Sequence, residues 1–373
     1  MAVTPTSARA QQGWHAAHGL NFGDERWRAL HEALHREVEH LCFLNPFLPA
    51  VAKETLIRDY RLEPTLVKGA YSFDIPEDPV KHFRTAAHGD EHSVFVEVSR
   101  GIPVSYDVDL GGMSPFLFIE GSSAIVAAAL RPDENDKVLD VCGAPGGKAA
   151  VLASAMFAVG SAQSHAWPLV RGRLVCNEFS KERAARMQRA LREFLPPLLY
   201  DETHLHGPHV VFTSADAGTP HNSMERYGPY DKILLDAPCI SDRQLLRDGD
   251  TGELSRWSAG KVKVSAKKLL KLATNALWLL REGGVLLYCA TSLSPEECDR
   301  LIETLMIQTR NHFVLEIIPL EEDIRRMVPG LASEDTDWGT HIFPDRTPFG
   351  PAYFSRLRLV KRIHESVENI PHI

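Results

Sequence analysis

Five short apolar runs, KVLDVCG, RLVCNEF, VVFTSAD, KILLDAP and GVLLYCAT, follow one another after residue 136. Helical patterns lie after the first two and before the last, over 147–159, 180–194 and 264–281, with another over 294–309. Strands alternating with helices of this length form parallel pairs joined by crossovers, so the chain reads as an open α/β sheet. Uninterrupted apolar runs are what strands covered on both faces require. Ligands of such sheets sit beyond the carboxyl ends of the strands, which places the site at the last residues of each run.

Upstream of this region the chain is mixed and dense in His, Arg and Glu. Arg26 to Cys42 is predicted as an amphipathic helix, with Leu30, Ala33, Leu34, Val38, Leu41 and Cys42 at helical spacing. Ser93–Val98 and Pro103–Val108 alternate like strands, and Gly111, Gly112 and Pro115 then punctuate the chain. The expectation is a smaller N-terminal α+β region over 1–110 and a larger domain over 111–373, with the boundary near 105–115. A chain of 373 residues is long enough for that division.

Composition removes several classes. No apolar run reaches 18 residues, so no membrane span is expected. Cysteines 42, 142, 176, 239, 289 and 298 form no CxxC pair, which argues against a structural zinc site or a disulfide scaffold; reduced thiols and no metal are expected. A net charge of −8 weighs against a surface that coats nucleic acid throughout, yet leaves room for a local basic face.

The first strand ends in Asp140-Val-Cys-Gly-Ala-Pro-Gly-Gly-Lys148. Glycines 143, 146 and 147 let the backbone approach a ligand, and Pro145 stiffens the turn. A Walker loop does not fit, because Cys142 replaces its first glycine and Ala149 its hydroxyl; GxGxxG is also absent. The next strands end at Glu178, Asp216 and Asp236. Each carboxylate alone reads equally as a helix N-cap. Four at successive tips are poor core residues, since an unpaired buried carboxylate is costly, and one at the second tip suits the hydroxyls of a ribose.

VLDVCGAPGGK (138–148), the Glu178 strand, the Asp216 tip, LLDAPCISDR (234–243) and LLYCATSLSPEE (286–297) together resemble the ordered motifs of the Sun-domain RNA (cytosine-5) methyltransferases. FLFIEGSSAIVAAALRP (116–132) and FGPAYFSRLR (349–358) bring the resemblance nearest to the mitochondrial ribosomal branch. It covers roughly 116–362 and implies a class I, Rossmann-like S-adenosylmethionine-dependent methyltransferase sheet. The resemblance implies that Cys142, Gly143, Ala144, Pro145, Gly146, Gly147 and Lys148 cradle the cofactor. Glu178 would hold its ribose, Asp216 its adenine amino group, and Arg183 and Asp236 would complete the site.

Methylating carbon 5 of cytosine needs a nucleophile on carbon 6 and an acid at the ring nitrogen. The resemblance gives Asp236 the acid's role and Cys239 a role in product release. The attacking cysteine of the family is missing: aligned on Leu287-Tyr288 and Ser292-Leu293-Ser294, its place is held by Thr291. A threonine hydroxyl is un-ionised at neutral pH and needs a dedicated base, and no histidine lies near in sequence. Cys289, two residues earlier on the strand, is set back by about 6.6 Å and reads as a small buried hydrophobe. Cys239 is the better substitute, because related DNA cytosine-5 methyltransferases attack from that position. The leading expectation is a protein that binds S-adenosylmethionine without turnover; the alternative is an active enzyme using Cys239.

Leu254 to Arg281 contains no acid but carries Arg256, Lys261, Lys263, Lys267, Lys268, Lys271 and Arg281. It reads either as a solvated helix face or as a phosphate-contacting one, and its position after the Pro-Cys loop favours the latter. Lys261, Lys263, Lys267 and Lys268 are expected RNA contacts, with Arg243 as a phosphate clamp. Arg183, Arg186, Arg189 and Arg192 recur every third residue but drift around their helix. The expected partners are rRNA, a ribosomal assembly intermediate and an assembly-factor protein. No acid precedes Asp24, a pattern that suits a transit peptide or a frayed terminus, and the resembling branch implies the mitochondrial matrix. A small-molecule methyltransferase would share the cofactor loop but needs neither the Pro-Cys block nor the basic stretch.

Overall fold

The computed structural model describes residues 5–38, 40–65, 70–72, 112–161, 171–203, 207–220, 223–247, 254 and 257–363. Its centre is a nine-stranded sheet. Five parallel strands, β5 (Lys137–Asp140), β6 (Arg173–Asn177), β7 (Val210–Thr213), β8 (Tyr230–Asp236) and β9 (Leu280–Ala290), lie in the order β7-β6-β5-β8-β9. The long strand β13 (Ala352–Arg362) runs antiparallel beside β9. Its other edge takes β12 (Thr340–Ile342) at one end and β10 (Phe313–Ile317) at the other, and β11 (Glu334–Asp335) completes the sheet. All five apolar runs form these parallel strands. The order reverses between β5 and β8, and a crevice opens at such a point.

Successive side chains leave opposite faces of a strand, which is why the runs are apolar throughout. Leu234 of β8 joins the layer under the helices α4 (Gly121–Ala129), α5 (Gly147–Ser161) and α6 (Lys181–Phe194). Its neighbours Ile233 and Leu235 join the layer under α8 (Ala259–Leu279) and α9 (Asp299–Thr309). The expected helices over 147–159, 180–194 and 264–281 correspond to α5, α6 and α8. The expected helix over 294–309 is divided: Pro295–Glu297 is a 3₁₀ turn, and α9 starts at Asp299. No described helix is long and apolar enough to cross a membrane.

A second, antiparallel sheet is built from β1 (His40–Leu44), β2 (Glu63–Pro64), β3 (Ala70–Ser72) and β4 (Phe116–Glu120) in the order β2-β3-β1-β4. The helix expected over 26–42 is corrected here. It ends at Leu34, as α2 (Asp24–Leu34), and Leu41 and Cys42 lie on β1, paired with Ile119 and Phe118. LCFL is compatible with either period, and pairing with a strand some 75 residues away, from Phe116 to Glu120, decides it. One face of this sheet packs under α3 (Ala50–Asp59), while Leu41, Phe43, Leu117 and Ile119 join the core of the main sheet. The segments 93–98 and 103–108 lie outside the described residues.

The N-terminal helices α1 (Pro5–Phe22) and α2 reach much farther along the chain. Trp14, Trp27, Leu30 and Leu34 pack with Leu245 on the short helix α7 (Asp242–Arg247), Val262 of α8, and Leu293. Arg26 ties α2 to β11 through Glu334 and to the loop after β12 through Asp345, with its guanidinium over Phe343.

Candidate active site at the strand tips

The loop after β5 is held from both sides. Val141 N–H donates to Leu234 O (2.9 Å), and Gly143 N–H to Asn177 O (2.8 Å). Asn177 is the buried fastener: its amide donates to Val141 O and Ala215 O (both 3.0 Å), while its Oδ1 accepts from Ala215 N and Thr213 Oγ1 (both 2.8 Å). It ties together the loops that follow β5, β6 and β7. Gly146 takes φ = 114°, which side-chain-bearing residues rarely adopt, and a Cβ at Gly143 would lie 2.9 Å from Met187 Sδ and 3.3 Å from Asp140 Oδ2.

Asp140 lies under this loop with its carboxylate buried and no well-formed hydrogen bond to either oxygen. Burial first, then the nearby Asp236, pushes its pKa up to about 7. Glu178 is nearly buried at the β6 tip; its Oε1 accepts from Ser180 N (2.9 Å), and Oε2 is 3.4 Å from Arg183 Nη2. Arg183 also donates to Ala144 O (3.1 Å), linking the acid to the loop. Asp216 stands exposed at the β7 tip, where Oδ1 accepts from Gly218 N (2.8 Å). Phe179, beside Glu178, is 66% exposed. The crevice therefore offers glycine backbone at 143, 146 and 147, the Glu178 and Asp216 carboxylates and an exposed aromatic ring.

On the other side of the reversal, Lys148 Nζ donates to Asp236 Oδ2 (2.8 Å) and to Ser123 Oγ (2.9 Å). Burial works against its charge, but Asp236, Cys289 and Glu120 together outweigh that and raise its pKa overall. The Cys289 thiol donates to Asp236 Oδ1 at 3.2 Å. It is thus a buried member of the site, and burial followed by the Asp236 charge holds it protonated. Cys239 and Thr291 meet: Sγ and Oγ1 are 3.5 Å apart, and Thr291 N–H donates to the same sulfur at 3.2 Å. Burial, then Glu297, pushes the Cys239 thiol up to about 12, beyond what the hydrogen bonds from Thr291 recover. Glu297, fully buried, accepts from Ile240 N (3.2 Å) and from Ser265 Oγ of α8 (2.5 Å).

A family model described as 16S rRNA methyltransferase RsmB/F matches residues 127–358, more than half of the chain. The chain belongs to that family. Among curated relatives, the 5-cytosine rRNA methyltransferase nsun-4 of Caenorhabditis elegans is 28% identical over 254 residues, 66% of this chain and 50% of the relative. The mitochondrial tRNA (cytosine(34)-C(5))-methyltransferase of Danio rerio is 25% identical over 258 residues, 67% of this chain and 62% of the relative. The chain thus spans between half and two thirds of the length of these relatives. A methyltransferase homolog protein from Pyrococcus horikoshii shares the fold at TM-score 0.61 and 17% identity, over 95% of this chain and 99% of that one. The sheet is that of the S-adenosylmethionine-dependent methyltransferases, as the sequence motifs imply. S-adenosylmethionine is the cofactor of this methyltransferase family, and the crevice from Cys142 to Lys148 fits it.

Membership in the RsmB/F family leaves the RNA-facing expectations to be judged on geometry. Arg243 must be corrected. It is buried, and its guanidinium donates to Leu34 O (3.1 Å), Arg36 O (2.6 Å) and Gly350 O (2.8 Å), so it clamps the chain's own backbone rather than a phosphate. Its neighbour Asp242 is equally committed, accepting from Trp14 Nε1 (2.8 Å) and Leu293 N (2.6 Å), with His18 Nε2 at 2.9 Å. Sequence reading missed Asp242 and Asn177, because Asn177 adjoins the acid Glu178 and Asp242 lies between Ser241 and Arg243. The arginine row of α6 is partly engaged, since Arg183 faces Glu178 and Arg192 lies over Tyr200 and Phe212. Lys261, Lys263, Lys267 and Lys268 are exposed on α8. All six cysteines are free.

Proposed function

We propose that this chain is an rRNA-binding factor of mitochondrial ribosome assembly, acting in the matrix, that retains an S-adenosylmethionine pocket and transfers no methyl group. In this reading Glu178, Asp216 and Arg183 hold the adenosine half of the cofactor, and the Gly143–Gly147 backbone holds the remainder. The name of the Caenorhabditis elegans relative supports rRNA, and that of the Danio rerio tRNA methyltransferase supports the mitochondrion. The N-terminal α+β region, which ends in this reading near residue 110, would face rRNA or an assembly-factor protein.

One observation carries the silent reading: Thr291 stands where the family's attacking cysteine belongs, and its hydroxyl has a thiol at 3.5 Å where a base is needed. A hydroxyl without a base does not attack carbon 6 of cytosine. The active alternative rests on the same contact, which brings Cys239 to the vacated position. That sulfur has Glu297 beside it, and no cation is among the main influences on its charge.

Bisulfite sequencing of mitochondrial and cytosolic rRNAs, with and without this protein, tests the proposal. An unchanged 5-methylcytosine map in cells that lose mature mitochondrial subunits is the expected outcome. One cytosine that loses its mark would overturn it and point to Cys239.

A further inference from the structure

We propose that the exposed face of α8 is a track for single-stranded RNA, in which lysines contact phosphates and Trp278 stacks a base. This rests on the rRNA-binding reading above and adds where the strand lies and what form it takes. α8 has 21 residues and no acid, starting from a Ser258 side-chain cap. Lys263, Lys267, Lys268 and Lys271 are exposed, and none forms an ion pair with a described residue. Lys263, Lys267 and Lys271 follow one another at four-residue intervals, a rise of about 6 Å per step. That pitch is comparable to the spacing of successive phosphates along a single strand. A face meant only for solubility would mix both signs of charge, as α10 (Glu321–Met327) does with its Glu–Arg pairs.

The second observation is at the far end. Trp278 lies seven residues beyond Lys271, two turns along nearly the same stripe of the helix. It is 50% exposed. Arg362 places its guanidinium 5.4 Å from the ring centroid and donates to Trp278 O (2.8 Å), while Phe313 packs edge-on at 4.6 Å. A ring fixed in this way is a stacking platform next to a cation, and sequence-tolerant single-strand binding uses that pairing with a basic groove. The near end of α8 is fastened to the active site by Ser265 and Glu297, which reach the Cys239 loop. The track therefore leads toward the crevice. A duplex would use the lysines without Trp278, because its bases are not available to stack.

Fluorescence anisotropy with the full chain, a labelled single-stranded rRNA segment and the matching duplex tests this across a salt series. The single strand is expected to bind more tightly. The triple variant Lys263→Glu, Lys267→Glu, Lys271→Glu should weaken binding and flatten the salt slope by about 2, near 0.7 for each phosphate no longer neutralised. Trp278→Ala should lose about tenfold in affinity for the single strand, with Trp278→Phe retaining most of it. Near-ultraviolet circular dichroism shows whether each variant is folded. Unchanged affinity and slope in the triple variant would overturn the track. Equal duplex binding, with Trp278→Ala neutral, would overturn the single-strand assignment. Failure of the unaltered protein to bind either form would overturn the rRNA-binding reading, and the track with it.

Discussion

The two halves of the strand-tip crevice differ in kind. On the β5–β6–β7 side, Asn177 fastens the loops that carry the residues proposed to hold the cofactor: glycine backbone, Glu178 and Asp216. On the β8–β9 side the acid Asp236 remains, held by Lys148, but every nucleophile near it is in a resting form. Cys289 donates a hydrogen bond to Asp236, and Cys239 shares space with the Thr291 hydroxyl. On the proposed reading, binding a methyl donor and using it are separable within one sheet. The first depends on backbone shape and hydrogen bonds that survive local substitution, while the second depends on one ionisable atom.

Substitutions can test each side of this contrast. Glu178→Ala should have the largest effect on ligand binding, lowering S-adenosylmethionine affinity by 10- to 100-fold in calorimetry, since a charge-assisted bond is worth about 1.5–3 kcal/mol. An unchanged affinity would dissolve the claim that the cofactor half is intact. Arg243→Ala should cost about 2–4 kcal/mol in urea unfolding, because it strands three main-chain carbonyls in two segments, while RNA affinity of the folded variant stays the same. A selective loss of RNA binding would restore Arg243 as a phosphate clamp. Alkylation of Cys239 should quicken about tenfold per pH unit from pH 7 to 10 without a plateau, since its pKa is pushed up to about 12 and only the thiolate reacts. Glu297→Gln removes a nearby negative charge and should raise the labelling rate at pH 8 severalfold. A plateau near pH 8 in the unaltered protein would mean a poised nucleophile. The smallest effect belongs to Cys239→Ser, which should leave the rRNA 5-methylcytosine map and subunit assembly as they were.

The parallel sheet was legible because strands buried on both faces must be apolar at every position, and that leaves a continuous run. The position of the carboxylates at the strand tips was legible because each ends a continuous apolar run. The N-terminal sheet was less so. Leu41 and Cys42 fit a helical stripe as well as a strand, and only pairing with 116–120 separates the two. Arg243 looked free because its acceptors are carbonyls of Leu34, Arg36 and Gly350, more than 100 residues away in either direction. The Cys289–Asp236 contact was hidden for a related reason. Strand spacing sets Cys289 back from Thr291, but the β8–β9 register pairs it with Asp236.

A covalent trap tests the central claim most directly. Cytosine analogues of the 5-aza class hold an RNA cytosine-5 methyltransferase on its substrate once a nucleophile adds to carbon 6. Cells expressing the tagged chain are fed 5-azacytidine, and the protein is recovered under denaturing conditions and assayed for attached RNA. The account predicts none, for the unaltered chain and for Cys239→Ser alike. RNA attached to the unaltered chain and absent from Cys239→Ser would contradict it, and would make the Thr291 site a working one.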